Sequence, residues 1–130
     1  MEKPEHRITG PTSTQRVLIV LWIPSADRDG KDLPDQAKWT TAALELFAEL
    51  YGGATAMPPA DGIWRDDERG GKLIREAPIL IHCYVTVEQA NDRKSQNRLG
   101  GFCRKMGKDT RQGEVVLLIN GEWHSFKNFS

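Results

Sequence analysis

Ala77 to Val85 reads Ala-Pro-Ile-Leu-Ile-His-Cys-Tyr-Val, and this stretch decides the fold. After Pro78 come seven residues of apolar or aromatic character, the length of one strand, which predicts a strand buried at the centre of a sheet. Side chains alternate along a strand, so Ile79, Ile81, Cys83 and Val85 share one face while Leu80, His82 and Tyr84 share the other. A second run of the same kind, Arg16 to Ile23, is stopped by Pro24 and divides likewise, with Val17, Ile19, Leu21 and Ile23 opposed to Leu18, Val20 and Trp22.

The remaining segments arrange themselves around these two runs. Asp32, Pro34 and Asp35 signal a helix start, and Ala37, Thr41, Leu44, Phe47, Ala48 and Tyr51 recur at intervals of three and four before Gly52-Gly53 closes the helix. Ala54 to Met57 and Gly62 to Arg65 predict one strand interrupted by Pro58-Pro59, which a sheet edge tolerates. Asp66 to Gly71 is a polar turn, and Lys72 to Val85 is the returning strand, regular from about Ile79. Thr86 with Gln89 forms a capping box that opens a second helix at Val87. Val87, Ala90, Leu99, Phe102, Cys103 and Met106 line one side of it, while the polar run Asn91 to Arg98 and the pair Gly100-Gly101 predict a break or kink. Gly107 ends this helix, Glu114 to Ile119 is a strand, and Asn120-Gly121 turns the chain into a final strand, Glu122 to Phe126. No internal repeat is present.

The order strand, helix, strand, strand, helix, strand, with one strand added, is that of an α+β, ferredoxin-like βαββαβ sandwich carrying a C-terminal hairpin strand. Its first and third strands, which lack a polar face, belong in the middle with both helices on one side. Residues 1–15, almost without apolar side chains, are read as a flexible N-terminal tail, and residues 16–130 as a single α+β domain.

Composition narrows the function classes. The 18 basic and 18 acidic residues balance, unlike the charge of a dedicated nucleic-acid binder. Two cysteines, Cys83 and Cys103, are too few for a disulfide scaffold and lack metal-binding spacing, so they are expected as reduced core thiols. The start of the chain has no apolar signal region and no run reaches the ~18 residues of a membrane span, which predicts a cytoplasmic protein with no membrane contact. No signature of a cofactor or metal is present. Asp27 to Asp32 has its glycine out of place for a calcium loop, and Gly52-Gly53 follows a helix where a phosphate loop would precede one.

The candidate site is the sheet face away from the helices. Leu18, Val20, Trp22, Leu80, His82 and Tyr84, joined by Trp64 and Trp123 from flanking strands, would leave an apolar patch of several hundred Å². Self-association, the C-terminal hairpin or a ligand would cover it. His82 and Tyr84, with His124 near a sheet end, form a candidate acid–base group. Trp22, with Trp64 and Arg65 at the margin, marks the binding face. The segment Arg93 to Arg111, including Arg98, Arg104 and Lys105, carries seven basic residues against the single acid Asp109 and suits phosphate or an acidic partner.

Trp39, Phe47, Gly53, Thr55, Gly62-Ile-Trp64-Arg65-Asp66, Arg75-Glu76 and Ser125-Phe126 together resemble a family of small bacterial proteins classed as a domain of unknown function. In that family a Gly-x-Trp-Arg turn precedes an Arg-Glu pair and a buried strand. The resemblance implies a ferredoxin-like fold and no particular activity. The expected protein is a small bacterial binding or regulatory module, a homodimer through the helix-free face. The alternatives are a small enzyme using His82 and Tyr84 in a pocket between sheet and hairpin, and a nucleic-acid accessory using the basic segment.

Overall fold

The computed structural model describes Gly10 and residues 14–129; the tail expected at residues 1–15 falls almost wholly outside them. Seven strands run in chain order as β1 (Val17–Ile23), β2 (Thr55–Ala56), β3 (Gly62–Asp66), β4 (Lys72–Glu76), β5 (Ile79–Val85), β6 (Val115–Ile119) and β7 (Glu122–Phe126). The helices are α1 (Gln36–Tyr51), the single turn α2 (Val87–Ala90) and α3 (Arg93–Asp109). Five strands make one antiparallel sheet in the order β2-β5-β1-β6-β7, while β3 and β4 form a separate two-stranded ribbon. The result is an α+β protein whose central strand is β1.

The odd-numbered side chains of β1 and β5 meet the helices. Ile19, Leu21, Ile23, Ile81 and Val85 are fully buried there with Ala43 and Phe47 of α1 and Leu99, Cys103 and Met106 of α3. Register fixes this, because Ile19 pairs with Cys83 and Leu21 with Ile81, and a slip of one residue would turn every such side chain to the other face.

One expected strand is corrected. Thr55–Ala56 pairs with His82 and Ile81, but Gly62–Asp66 pairs with Lys72–Glu76 and not with the main sheet. The returning run is therefore two strands. Pro78 lacks a backbone N–H, and the N–H of Ala77 donates to Ser25 Oγ at 2.8 Å, so the ladder is interrupted between β4 and β5. The Gln36 side-chain amide donates to the carbonyls of Ala77 and Ile23, fastening the start of α1 to this junction.

The second helix breaks earlier than at its glycines. Thr86 and Gln89 complete the expected capping box, but α2 ends at Ala90 and Asp92 opens α3 with a new cap. Asp92 Oδ2 accepts hydrogen bonds from the backbone N–H of Ser95 at 3.0 Å and from Ser95 Oγ at 2.9 Å, and these two bonds hold its carboxyl below the ordinary carboxylate range. Asp92→Ala should cost about 1 kcal/mol of stability, read as a lower urea midpoint at unchanged slope; no change would mean that water caps the helix equally well. The helix then passes through Gly100, Gly101 and Gly107 to end at Asp109. Asn120 and Gly121 both take the left-handed conformation, as the tight β6–β7 turn requires.

Candidate functional site

The even-numbered side chains of β1, β5 and β6, continued by Thr55 of β2 and Trp123 of β7, form the face without helices. Leu18 lies beside Tyr84, Val20 beside His82 and Trp22 beside Leu80. One row crosses the whole sheet as Thr55, His82, Val20, Leu118 and Trp123. The His82 and Tyr84 rings stand edge to face with centroids 6.4 Å apart. On the other side of β1 the Trp22 and Trp123 rings approach to 6.1 Å, although β6 separates their strands. Tyr84 and Trp123 each keep 63% of their surface exposed, a high value for large aromatic groups.

This arrangement gathers a hydrogen-bonding phenol, an imidazole and two indoles on one face. Such a face can stack a planar ring and hold a cation by its π electrons, and His82 can exchange a proton. The C-terminal hairpin extends the sheet as its outer strand and does not fold across the face. Two clefts found among the described residues touch neither His82 nor Tyr84, so the pocket expected between sheet and hairpin is not one of them.

Several sequence candidates have other placements. His124 pairs with Leu117, which lies in the helix-side core, so it points away from His82 and the expected three-residue acid–base group is not assembled. Trp64 and Arg65 belong to the β3–β4 ribbon, outside the main sheet, because that ribbon pairs only with itself. Arg65 bonds to Asp67. Arg98 makes a bidentate pair with Glu49, 2.8 and 3.0 Å, joining α3 to α1. Lys105 pairs with Asp109 at 3.0 Å and Arg104 stacks on Phe126.

The cysteines behave as core thiols. Burial pushes Cys83 up to about 11 and Cys103 up to about 12, values at which neither is a ready nucleophile. In the loop after β1, the Asp27 carboxylate accepts from the backbone N–H groups of Asp29 and Lys31, a turn that uses up its oxygen for the chain itself. Asp29 is bracketed by Arg69 at 2.6 Å and Arg111 at 3.2 Å; the Arg69 hydrogen bond leads in holding its carboxyl low. No group of three or more metal-ligating side chains occurs among the described residues.

Sequence reasoning missed Glu76. This carboxyl at the end of β4 is raised above its ordinary 4.5 by burial, and no side-chain hydrogen bond or ion pair among the described residues offsets that burial. The folded state thus holds the proton more tightly than the unfolded one, so its contribution to stability is present below the ordinary value and is lost as pH rises through the raised one. Glu76→Gln should therefore stabilise the protein near pH 7 and leave it nearly unchanged near pH 4. Equal urea midpoints of the two proteins at both pH values would refute this reading.

No family model matches the chain, and no curated protein matches it in sequence. Solved structures do resemble it. A phage SAM lyase in complex with S-methyl-5'-thioadenosine superposes with a TM-score of 0.63 at 12% identity, over 94% of this chain and 97% of that one. The same description of a phage SAM lyase in its apo state gives a TM-score of 0.65 at 12% identity and the same coverage. At this identity the likeness is one of fold, extending over nearly the whole of both chains.

Proposed function

We propose that this protein is a small enzyme that acts on S-adenosylmethionine at its helix-free sheet face. The observation that carries the reading is the grouping of His82, Tyr84, Trp22 and Trp123 on that face, in a chain that shares its architecture with phage SAM lyase. S-adenosylmethionine offers what such a face can hold, a planar adenine and a positively charged sulfonium. Cleaving the bond between the sulfonium and the four-carbon amino-acid arm returns the bonding electrons to sulfur and releases neutral methylthioadenosine. The carbon left behind must then gain an internal nucleophile or lose a neighbouring proton. His82 is the group placed to take such a proton, and Tyr84 to donate a hydrogen bond.

The strand order β6-β1-β5-β2, with β7 added outside β6, supports the ferredoxin-like description of the fold. A homodimer is favoured by the same exposed face, since Tyr84 and Trp123 remain uncovered in one copy. A second copy would supply the wall that an open sheet lacks, so a binding interface and an enzymatic site are compatible on it.

The test is direct. Purified protein incubated with S-adenosylmethionine should release methylthioadenosine, followed by liquid chromatography. Folded protein that leaves the substrate intact, and whose melting temperature the substrate does not raise, would overturn the proposal. Light scattering on the same sample should give a mass near twice 14.6 kDa.

A further inference from the structure

A second site lies on the other side of the molecule, where the last turns of α3 meet the segment 127–129. We propose that the cleft there binds a small molecule bearing two or more phosphates. Its volume is about 410 Å³, and its walls carry four cations, Arg104, Lys105, Lys108 and Lys127, against one carboxylate, Asp109. Lys105 is engaged by Asp109 at 3.0 Å, and no carboxylate among the described residues pairs with the other three. The volume falls within the few hundred Å³ usual for small-molecule sites.

The cleft is shaped by two glycines that a helix would otherwise avoid. A Cβ on Gly107 would lie 2.3 Å from the Phe129 ring, so only glycine lets that ring settle against α3 as the apolar wall of the cleft. A Cβ on Gly100 would lie 3.3 Å from Arg104 Nη1 and 3.8 Å from Phe126 Cε1. The Arg104 guanidinium is thereby seated over the Phe126 ring, 5.2 Å from its centre. A fixed guanidinium, two lysines and an aromatic wall are what a phosphate-bearing ligand with an organic body needs. Nucleic acid is the weaker fit. Arg98, the next cation along this helix, is spent on Glu49, and the 18 basic and 18 acidic residues of the chain balance.

Calorimetric titration at low salt tests this with pyrophosphate and with adenosine triphosphate as probes. Both should bind; tighter binding of the triphosphate would identify a nucleotide as the source of the phosphates, and equal binding the phosphates alone. The double variant Arg104→Gln, Lys108→Gln should weaken binding by ~10-fold or more, while Arg93→Gln with Lys94→Gln, at the far end of α3, should change it less than about twofold. Because Arg104 also packs on Phe126, Lys127→Gln serves as a second variant that leaves the helix intact, and it should weaken binding several-fold. Absence of binding by both probes, unchanged affinity in Lys127→Gln, or an equal loss in the Arg93 and Lys94 variant would overturn the proposal. So would tighter binding of a single-stranded oligonucleotide that depends on Arg93 and Lys94. The cleft and the sheet face lie on opposite sides of the sheet, so these outcomes are independent of S-adenosylmethionine cleavage.

Discussion

His82→Ala is expected to lower the rate of methylthioadenosine release by about 10²- to 10⁴-fold, the usual contribution of a positioned acid or base. Tyr84→Phe, which keeps the ring and removes the hydroxyl, should lower it by less. The two effects separate by geometry. His82 lies opposite Val20 in the row that spans the sheet, whereas Tyr84 lies toward the end of β5, opposite Leu18 at the start of β1, with 63% of its surface exposed. If His82 moves a proton, its replacement should also remove one limb of the pH–rate profile while leaving the Michaelis constant nearly unchanged. A variant that keeps the parent rate and profile would show that the imidazole only packs against Tyr84.

Phe47→Ala is expected to destabilise the fold by about 3–5 kcal/mol. Phe47 is the largest fully buried side chain among the described residues, and it sits in α1 against the β1–β5 core, edge to face with Tyr51 at 5.9 Å. Its removal leaves a cavity bounded by residues held by sheet register, which cannot readily move inward to fill it. Urea denaturation reads the loss as a lower midpoint at unchanged slope. A loss below ~1 kcal/mol would mean that α1 slides to close the gap, and that its attachment through Gln36 is weaker than the hydrogen bonds to Ala77 and Ile23 suggest.

Much of this architecture is legible from alternation and punctuation alone. The two-faced reading of Val17 to Ile23 and Ile79 to Val85 assigned the helix-side core correctly, because one face is aliphatic and the other carries His82, Tyr84 and Trp22. Thr86, Gln89, Gly52 and Asn120-Gly121 marked their caps and turn, because each acts within a few residues. The separation of β3 and β4 from the sheet was not legible. It depends on where the Ala77 N–H goes, and its acceptor, Ser25, is 52 residues away. For the same reason the sequence pattern puts Trp64 on a face to which its ribbon does not belong. The helix break at Asn91-Asp92 falls at the start of the polar run Asn91 to Arg98 that predicts it, and Asp92 three residues before Ser95 is its local signal, whereas Gly100-Gly101 leaves the helix unbroken. The reason for Gly100 and Gly107 lies in Phe126 and Phe129, distant in sequence and packed against α3.

The two borders of the main sheet are unequal. At one, β2 offers two residues and is followed within two positions by Pro58-Pro59, so little backbone is free to pair there. At the other, β7 presents five residues along an outer edge that no strand among the described residues pairs. A strand from another molecule therefore finds its longer border at β7. If two copies met edge to edge, β7 against β7, both adhesive borders would be consumed at once and each blunt border would face outward. Such pairing ends at a closed two-fold assembly and cannot propagate into a fibre.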